Sequence, residues 1–546
     1  MGTHNVTCHF CSMQDKFTLS FADVFDSAHF GQESFVKSLY NSGERRVCPR
    51  GNFCVELCQH KLRTSYARID CEHAITDEAI STIASRIGEI EPSKIAILLS
   101  GSLPLEDAYL AVKLAQKLGT DLVAQIYSED DVAAKFLNKF SFDELSLQQT
   151  IVAIGDVFSL SPTIARPIHN ARFAARRNTF AVIDNCRTRT SRYSWSFLRA
   201  RPGKVADIIE ALAKNISGEN VSINDTGVDA SAFERLASII KNTDKGTILF
   251  APGVAHFAEP LRIGFWAKKL AETKQFNFAA MGTAANGRGI SRLLSAFGFS
   301  GTNNVLNAIG NGEVDALLCL GCDPIEAYPG MFEHIQKIGF IAATTTLPTA
   351  IYQIANVVVP SLHLFERKGT LLSLEEKFVS MDDPLPSPNY PGESGVLSAL
   401  LNNLGESSSV SPSDIQQKIS DFTFLVEEPE PHTASSTDLC AIGYHLPHHY
   451  GDGSLTRRST WVRRYAEKSD NAAIISPALA EKLNVKNGDS VAVQTEHGKS
   501  EFSVSIENDQ FDDVILIPAY MPNARPLLGW CSKAGFVPIS ASVSKV

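Results

Sequence analysis

Short, uninterrupted apolar runs alternate with amphipathic stretches through the central part of this chain, and that alternation admits little besides parallel sheets covered by helices. Lys94-Ile-Ala-Ile-Leu-Leu99 reads as a buried strand, Gly101-Ser-Leu-Pro104 as a turn, and Leu105 to Leu118 as a helix, because its apolar residues recur every three or four positions. A strand buried on both faces is apolar throughout, and its neighbours in such a sheet are reached through crossover helices. The grammar returns at Gly246-Thr-Ile-Leu-Phe250, followed by a helical run from Glu259 to Thr273.

Later units correspond as well. Ile151 to Gly155, a helix from Ile164 to Arg176 and a strand Phe180 to Asp184 parallel Asp315 to Gly321, a helix near Met331 and Gly339 to Ala343. Two related α/β lobes follow, expected over 76–245 and 246–401. A Ser-, Pro- and Glu-rich stretch, 402–437, reads as a linker. Beyond it, short strands such as Ala473-Ile-Ile-Ser476 and Val514 to Ile517, separated by Gly, Asn and Asp turns, predict a β-barrel over 438–546.

The eleven cysteines are unevenly placed: Cys8, Cys11, Cys48, Cys54, Cys58 and Cys71 crowd the first 71 residues. That segment, 1–75, has few apolar runs, so a metal is expected to hold it together. A net charge of −10 offers no attraction to nucleic acid or to an acidic membrane surface. The sequence shows neither an export signal nor an apolar segment of the ~18 residues a bilayer requires, so a cytoplasmic chain without membrane insertion is expected. There cysteines are thiols or metal ligands rather than disulfides.

Cys8-His-Phe-Cys11 puts two thiolates on one turn, and Cys48 supplies a third. An iron–sulfur cluster takes such ligands, and so does zinc. Cys54, Cys58 and Cys71 read equally as buried small apolar side chains.

The order of these features resembles the molybdopterin oxidoreductase family. Its amino-terminal 4Fe-4S motif, C-x2-C-x3-C and a distant Cys before a basic residue and Gly, corresponds to Cys8, Cys11 and Val47-Cys48-Pro-Arg-Gly51. The third family cysteine falls on Asp15. The resemblance therefore implies a 4Fe-4S cluster on Cys8, Cys11 and Cys48, with Asp15, Cys54 or Cys58 as fourth ligand. Phe180-Ala-Val-Ile-Asp184-Asn-Cys-Arg187-Thr188-Arg-Thr190 and Arg199-Ala-Arg-Pro202-Gly203-Lys204 are similar to segments that hold the nucleotide tails of a bis-pterin cofactor. Leu318-Cys-Leu-Gly321-Cys-Asp323-Pro324, Glu366-Arg-Lys-Gly369-Thr370 and Pro391-Gly-Glu393 match later stations, and 475–518 resembles the dinucleotide-binding barrel. The implied cofactor contacts are Asp184, Arg187, Thr188, Pro202, Gly203 and Asp323. A purely local reading gives Asp184, Arg187 and Thr188 to helix capping instead. Cys319 and Cys322 form a second CxxC, read as structural because Cys319 lies within a strand.

A catalytic member of the family supplies a metal ligand in the stretch that here runs from Thr120 to Gln149, which contains neither Cys nor His. Ser128, Asp130 and Asp131 offer oxygen there, although such a turn also reads as a helix start. The resemblance implies an iron–sulfur electron-transfer or scaffold subunit, partnered by other redox subunits and lacking a catalytic metal. The alternative is an oxidoreductase with molybdenum or tungsten on molybdopterin guanine dinucleotide, acting on a one-carbon substrate such as formate or a formyl group, with Arg288 or His169 on the substrate carboxylate. His445, His448 and His449 are expected to serve packing or cofactor-side contacts rather than zinc.

Overall fold

A computed structural model describes residues 2–26, 31–39, 57–58, 60–252, 259–387, 390–431, 439–444, 449, 452–460, 462, 472–519, 521–528 and 539–546. Strands β1 (Gly2–Thr7), β2 (Lys16–Asp26) and β3 (Gly31–Leu39) form an antiparallel amino-terminal sheet. Next come β4 (Ala67–Ile69), β5 (Glu72–Ala74), β6 (Ile95–Leu99) and β7 (Val123–Gln125). Strands β8 (Thr150–Ile154), β9 (Thr179–Asp184), β10 (Ser196–Arg199), β11 (Gly246–Phe250) and β12 (Asn277–Ala280) follow, then β13 (Ala316–Leu320), β14 (Phe340–Thr345) and β15 (Val357–Pro360). A hairpin, β16 (Gly369–Leu372) and β17 (Phe378–Met381), precedes the last six strands: β18 (Cys440–Tyr444), β19 (Ala472–Ile475), β20 (Ser490–Thr495), β21 (Gly498–Ile506), β22 (Val514–Pro518) and β23 (Ile539–Lys545).

Two helix-covered sheets make up the α/β lobes. One has the order β10-β9-β8-β11-β12 and is parallel throughout. The other has the order β5-β4-β15-β14-β13-β6-β7, parallel from β15 to β7. The central strands β6, β8, β9, β11, β13, β14 and β15 are buried at every residue, which is why their sequences are continuously apolar rather than alternating. The run β15-β14-β13-β6-β7 repeats β10-β9-β8-β11-β12 position for position, so the lobes are related as the sequence suggests.

Their boundaries differ from the expected ones. β6 pairs with β13 and β11 with β8, so residues 95–125 belong to the lobe completed by 316–360, and the five-stranded lobe is inserted between. Local pattern identifies the strands, but parallel neighbours are chosen by long-range packing, so division into consecutive halves fails. The expected linker 402–437 contains the helix Pro412–Asp421, whose Ile415 and Ile419 join the core of the seven-stranded lobe. The last six strands close into a barrel, β18-β22-β19-β21-β20-β23. Among the described residues no helix is long and apolar enough to cross a membrane.

Ionic and polar contacts join these bodies. Arg187 Nε meets Asp509 at 2.7 Å and Arg201 pairs with Asp513, tying the five-stranded lobe to the barrel. Arg458 reaches Glu326 at 2.8 Å, and Arg457 pairs with the same carboxylate, tying the barrel segment to the seven-stranded lobe.

Candidate functional site

In an open α/β sheet, ligands bind outside the carboxyl ends of the strands, where the chain order reverses. In the seven-stranded sheet that point lies between β6 and β13. There a cleft encloses ≈ 890 Å³, its solvent mouth included. Ser100 and Ser102 line it beyond β6, Tyr127 beyond β7, Gly321 to Asp323 beyond β13, Thr344 to Thr346 at β14, and Ser361 to Leu364 beyond β15. Phe10 of the amino-terminal loop, Ala284 of the other lobe, and Asp452, Ser454 and Leu455 of the barrel segment complete the wall. All four parts of the molecule therefore meet at this cleft.

Its polar chemistry centres on Arg367. Nη2 pairs with buried Glu393 at 3.0 Å and donates to the Leu362 carbonyl at 3.2 Å, whereas the buried Nη1 has no hydrogen-bond partner. Glu393 is fully engaged, accepting also from the hydroxyls of Thr344 and Ser361. Gly321, at φ +69°, allows this approach: a Cβ there would stand 2.8 Å from Glu393 Oε1. Beside Arg367, His363 accepts the Phe365 N–H at Nδ1, so Nε2 carries the ring proton, and Nε2 likewise has no partner. Burial first, and then Arg63 and Arg367, hold His363 well below the usual imidazole range, while burial and Arg367 lower His9 to about 3. The wall thus offers two unmet buried donors, from a guanidinium and a neutral imidazole. An acceptor-rich, phosphate-bearing ring system fits them.

Asp323 stands in this wall, but its carboxylate caps helices. Oδ1 accepts from the N–H groups of Ile325 at 2.9 Å and Glu326 at 3.0 Å, and Oδ2 from Ile351 at 2.7 Å. Asp156 occupies the equivalent place after β8, capping the helix Val157–Leu160. The other proposed cofactor contacts lie at the carboxyl edge of the five-stranded sheet, away from Asp323. Asp184 is buried at the end of β9 and accepts from the Asn185 N–H at 2.8 Å. Burial, opposed by that N–H and reinforced by Asp156, pushes it up to about 8. Thr188 caps the helix Arg189–Tyr193 through a capping box, Arg187 is held by Asp509, and Pro202 and Gly203, the latter at φ +78°, form the turn into the helix Val205–Ile216.

Cys8 and Cys11 lie buried on the loop joining β1 to β2, but they face different neighbours. Cys8 packs with Cys58, Phe10 and Phe365, whereas Cys11 packs with Met13 and Phe158 against the five-stranded sheet. Asp15 accepts from the Thr163 hydroxyl at 2.8 Å, and Cys58 Sγ lies 3.1 Å from His363 Nδ1. Cys48 and Cys54 lie outside the described residues. Among those that are described, no group of three or more His, Cys, Asp or Glu side chains is arranged to hold a metal ion. Cys71, which could have been a buried thiol, is exposed. Cys319 is buried within β13, and the Cys322 thiol donates to the Leu98 carbonyl at 3.4 Å.

The segment where a metal ligand is sought is the helix Ser128–Ala134. Asp130 accepts the N–H groups of Thr283 and Ala284, and Asp131 accepts from Ser291 Oγ at 2.6 Å and Thr302 N–H at 2.7 Å. Ser128 N–H donates to the Tyr328 hydroxyl. Glu129 is buried and pushed up to about 7, chiefly by desolvation, and its Oε2 has no partner. The Gly-rich stretch 282–289 follows β12 into the helix Gly287–Ala296, and its N–H groups at 283 and 284 already face Asp130. Arg288 is buried against Glu376 and the Phe136 carbonyl, while His169 lies on the outer surface beside Tyr193; neither stands in the cleft. His445 and His448 lie outside the described residues, and His449 Nδ1 sits 3.1 Å from Thr456 Oγ1.

Sequence reasoning passed over His363, Arg367 and Asp452. Arg367 lay inside the quoted Glu366-Arg-Lys-Gly369-Thr370 run, but nothing local marked it as a cleft donor.

Paired lobes with crevices at their strand-order reversals, closed by a barrel, define a pterin-dinucleotide-binding architecture. This chain belongs to the molybdopterin oxidoreductase family: residues 77–391 match the molybdopterin oxidoreductase model and residues 440–534 the molydopterin dinucleotide binding domain. It is similar to the F420-dependent formate dehydrogenase subunit alpha of Methanocaldococcus jannaschii, at 20% identity over 88% of this chain and 90% of that one. A stretch covering 21% of this chain and 14% of the relative is 27% identical to the NADPH-Fe(3+) oxidoreductase subunit alpha of Geobacter sulfurreducens. In fold it is similar to acetylene hydratase from Pelobacter acetylenicus, with a TM-score of 0.75, 13% identity and full coverage of both chains.

Proposed function

We propose that this chain is a subunit of a multi-subunit oxidoreductase, binds a molybdopterin dinucleotide in the cleft of the seven-stranded sheet, and serves electron transfer or scaffolding rather than substrate chemistry. One observation carries the non-catalytic part. Between Thr120 and Gln149 there is no thiol or imidazole, and the carboxylates of Asp130 and Asp131 are occupied by backbone and hydroxyl donors. A pterin cofactor carrying molybdenum or tungsten supplies two-electron redox chemistry in this family's enzymes. Here Arg367 Nη1 and His363 Nε2 would hold an acceptor-rich part of it, and the cleft walls would exclude water from its rings.

A 4Fe-4S cluster on Cys8, Cys11 and Cys48, with Asp15, Cys54 or Cys58 as fourth ligand, belongs to the same reading. Phe10, between Cys8 and Cys11, lines the cleft, so a cluster on this loop would adjoin the pterin. Its partners would be other redox subunits in the cytoplasm.

The second reading is a molybdenum or tungsten enzyme acting on formate or a formyl group. The full-length likeness to a formate dehydrogenase alpha subunit favours it, as does the unpartnered Oε2 of buried Glu129. Anaerobic purification with Fe, sulfide, Mo and W quantification, plus pterin fluorescence after oxidative release, separates the two. Iron, sulfide and pterin without Mo or W support the relay; stoichiometric Mo or W with formate oxidation supports the enzyme. Absence of pterin from a preparation assembled in its native host defeats the pterin assignment in both readings, and absence of iron and sulfide defeats the cluster.

A further inference from the structure

Between Ala165 and Lys204 stand nine arginines and one lysine against a single acid, the buried Asp184, in a chain whose net charge is −10. Four of these ten cations are already covered by the barrel. Arg187, Arg192 and Arg201 pair with Asp509, Glu507 and Asp513 of the barrel, and Phe511 from the same barrel loop lies 3.8 Å from the Arg199 guanidinium, ring centroid to Cζ. An acidic loop with an aromatic at its middle is thus the surface these arginines receive within the chain.

The amino-terminal part of the segment has no such cover. The helix Ala165–Ala174 buries Ile168 and Ala171 and turns Arg166 and Phe173 outward, and Arg176 and Arg177 follow it, all exposed. Among the described residues none of these three arginines has an ion-pair partner. Phe173 is 64% and Trp195 60% exposed, and Arg172 bridges this region, 5.2 Å from the Phe173 ring and 5.0 Å from the Tyr193 ring. Exposed aromatics gain by being covered, and uncompensated arginines beside them attract carboxylates and a ring, the composition of a protein-docking surface.

We infer that this face docks an acidic protein surface of the same chemistry as the Glu507–Asp513 loop: carboxylates flanking an aromatic side chain. The inference does not depend on what the cleft binds. A polyanion such as nucleic acid matches the patch less well, because the acidic remainder of the chain repels an extended ligand, whereas a compact partner meets only the local face.

The capped peptide Glu-Asn-Asp-Gln-Phe-Asp-Asp is the probe, titrated into the full chain at several salt concentrations. The expected result is binding that weakens with salt, is at least tenfold weaker in the R166E/R176E/R177E variant, and weakens also in F173S/W195S, with melting temperatures unchanged. R166Q/R176Q/R177Q should give an intermediate loss. Binding untouched by the triple variants would place the peptide on the covered part and overturn the proposal. So would equal affinity for a single-stranded oligonucleotide of matched charge, or sedimentation showing that the triple variant abolishes a self-association of the chain.

Discussion

Asp130, on the helix that follows β7, accepts the backbone N–H of Ala284, in the segment leaving the five-stranded sheet, at 3.1 Å. The Thr283 N–H meets the other oxygen, and Gly287 closes on the carboxylate so tightly that a Cβ there would lie 1.7 Å from Oδ2. A carboxylate expected as a possible metal ligand is instead a joint between the two segments that cross from one sheet to the other. Asp130→Ala strands two buried N–H groups and should cost about 2–4 kcal/mol. Gly287→Ala should cost about 1–3 kcal/mol or more through overlap. Chemical denaturation of the double variant should show a loss well below the sum, because removing the carboxylate makes room for the methyl.

The buried pair at the cleft makes a different prediction. Arg367→Met leaves Glu393 as an uncompensated buried carboxylate and should destabilise by about 3–5 kcal/mol. Adding Glu393→Gln should restore most of that stability. The double variant still lacks the free Nη1 donor, so its affinity for the pterin dinucleotide, read by fluorescence of the released pterin, should fall roughly tenfold. Recovery of both stability and affinity would remove Arg367 from the binding surface.

Asp184 gives a pH signature. Its folded value of about 8 lies above the ordinary 3.8, so between those limits the unfolded chain ionises while the folded one stays protonated. Stability should decline as pH rises through that window, by up to ~1.4 kcal/mol per pH unit from this group, and level off above it. Urea melts from pH 5 to 9 should show a shallower decline for Asp184→Asn. Identical slopes would mean that Asp184 is ionised in the folded chain.

Glu326 holds the barrel segment down. Burial alone would raise its carboxyl, but Arg457 and Arg458 outweigh that and keep it below the ordinary value. Glu326→Ala should cost about 3 kcal/mol. Hydrogen exchange should accelerate most over 452–460, the segment that brings Asp452, Ser454 and Leu455 to the cleft, and least in the strands of the two sheets.

The buried central strands β6, β8, β9, β11, β13 and β14, the two related lobes and the closing barrel were legible in the sequence, because burial on both faces writes continuous apolar runs and turn chemistry is local, whereas the amino-terminal sheet β1-β2-β3 and the helix Pro412–Asp421 carried no such runs. Even the pairing of equivalents, Ile151 with Asp315 and Phe180 with Gly339, was readable. Three things were settled by tertiary structure alone. Parallel strands take partners far along the chain, so β6 and β7 joined β13 to β15 and the lobe boundaries moved. Whether a carboxylate is a free ligand depends on which N–H groups arrive beside it, and distant Thr283, Ala284 and Thr302 occupied Asp130 and Asp131. The cleft donors Arg367 and His363 gained their character from enclosure, since only a folded wall can bury a guanidinium edge and a neutral imidazole without satisfying them.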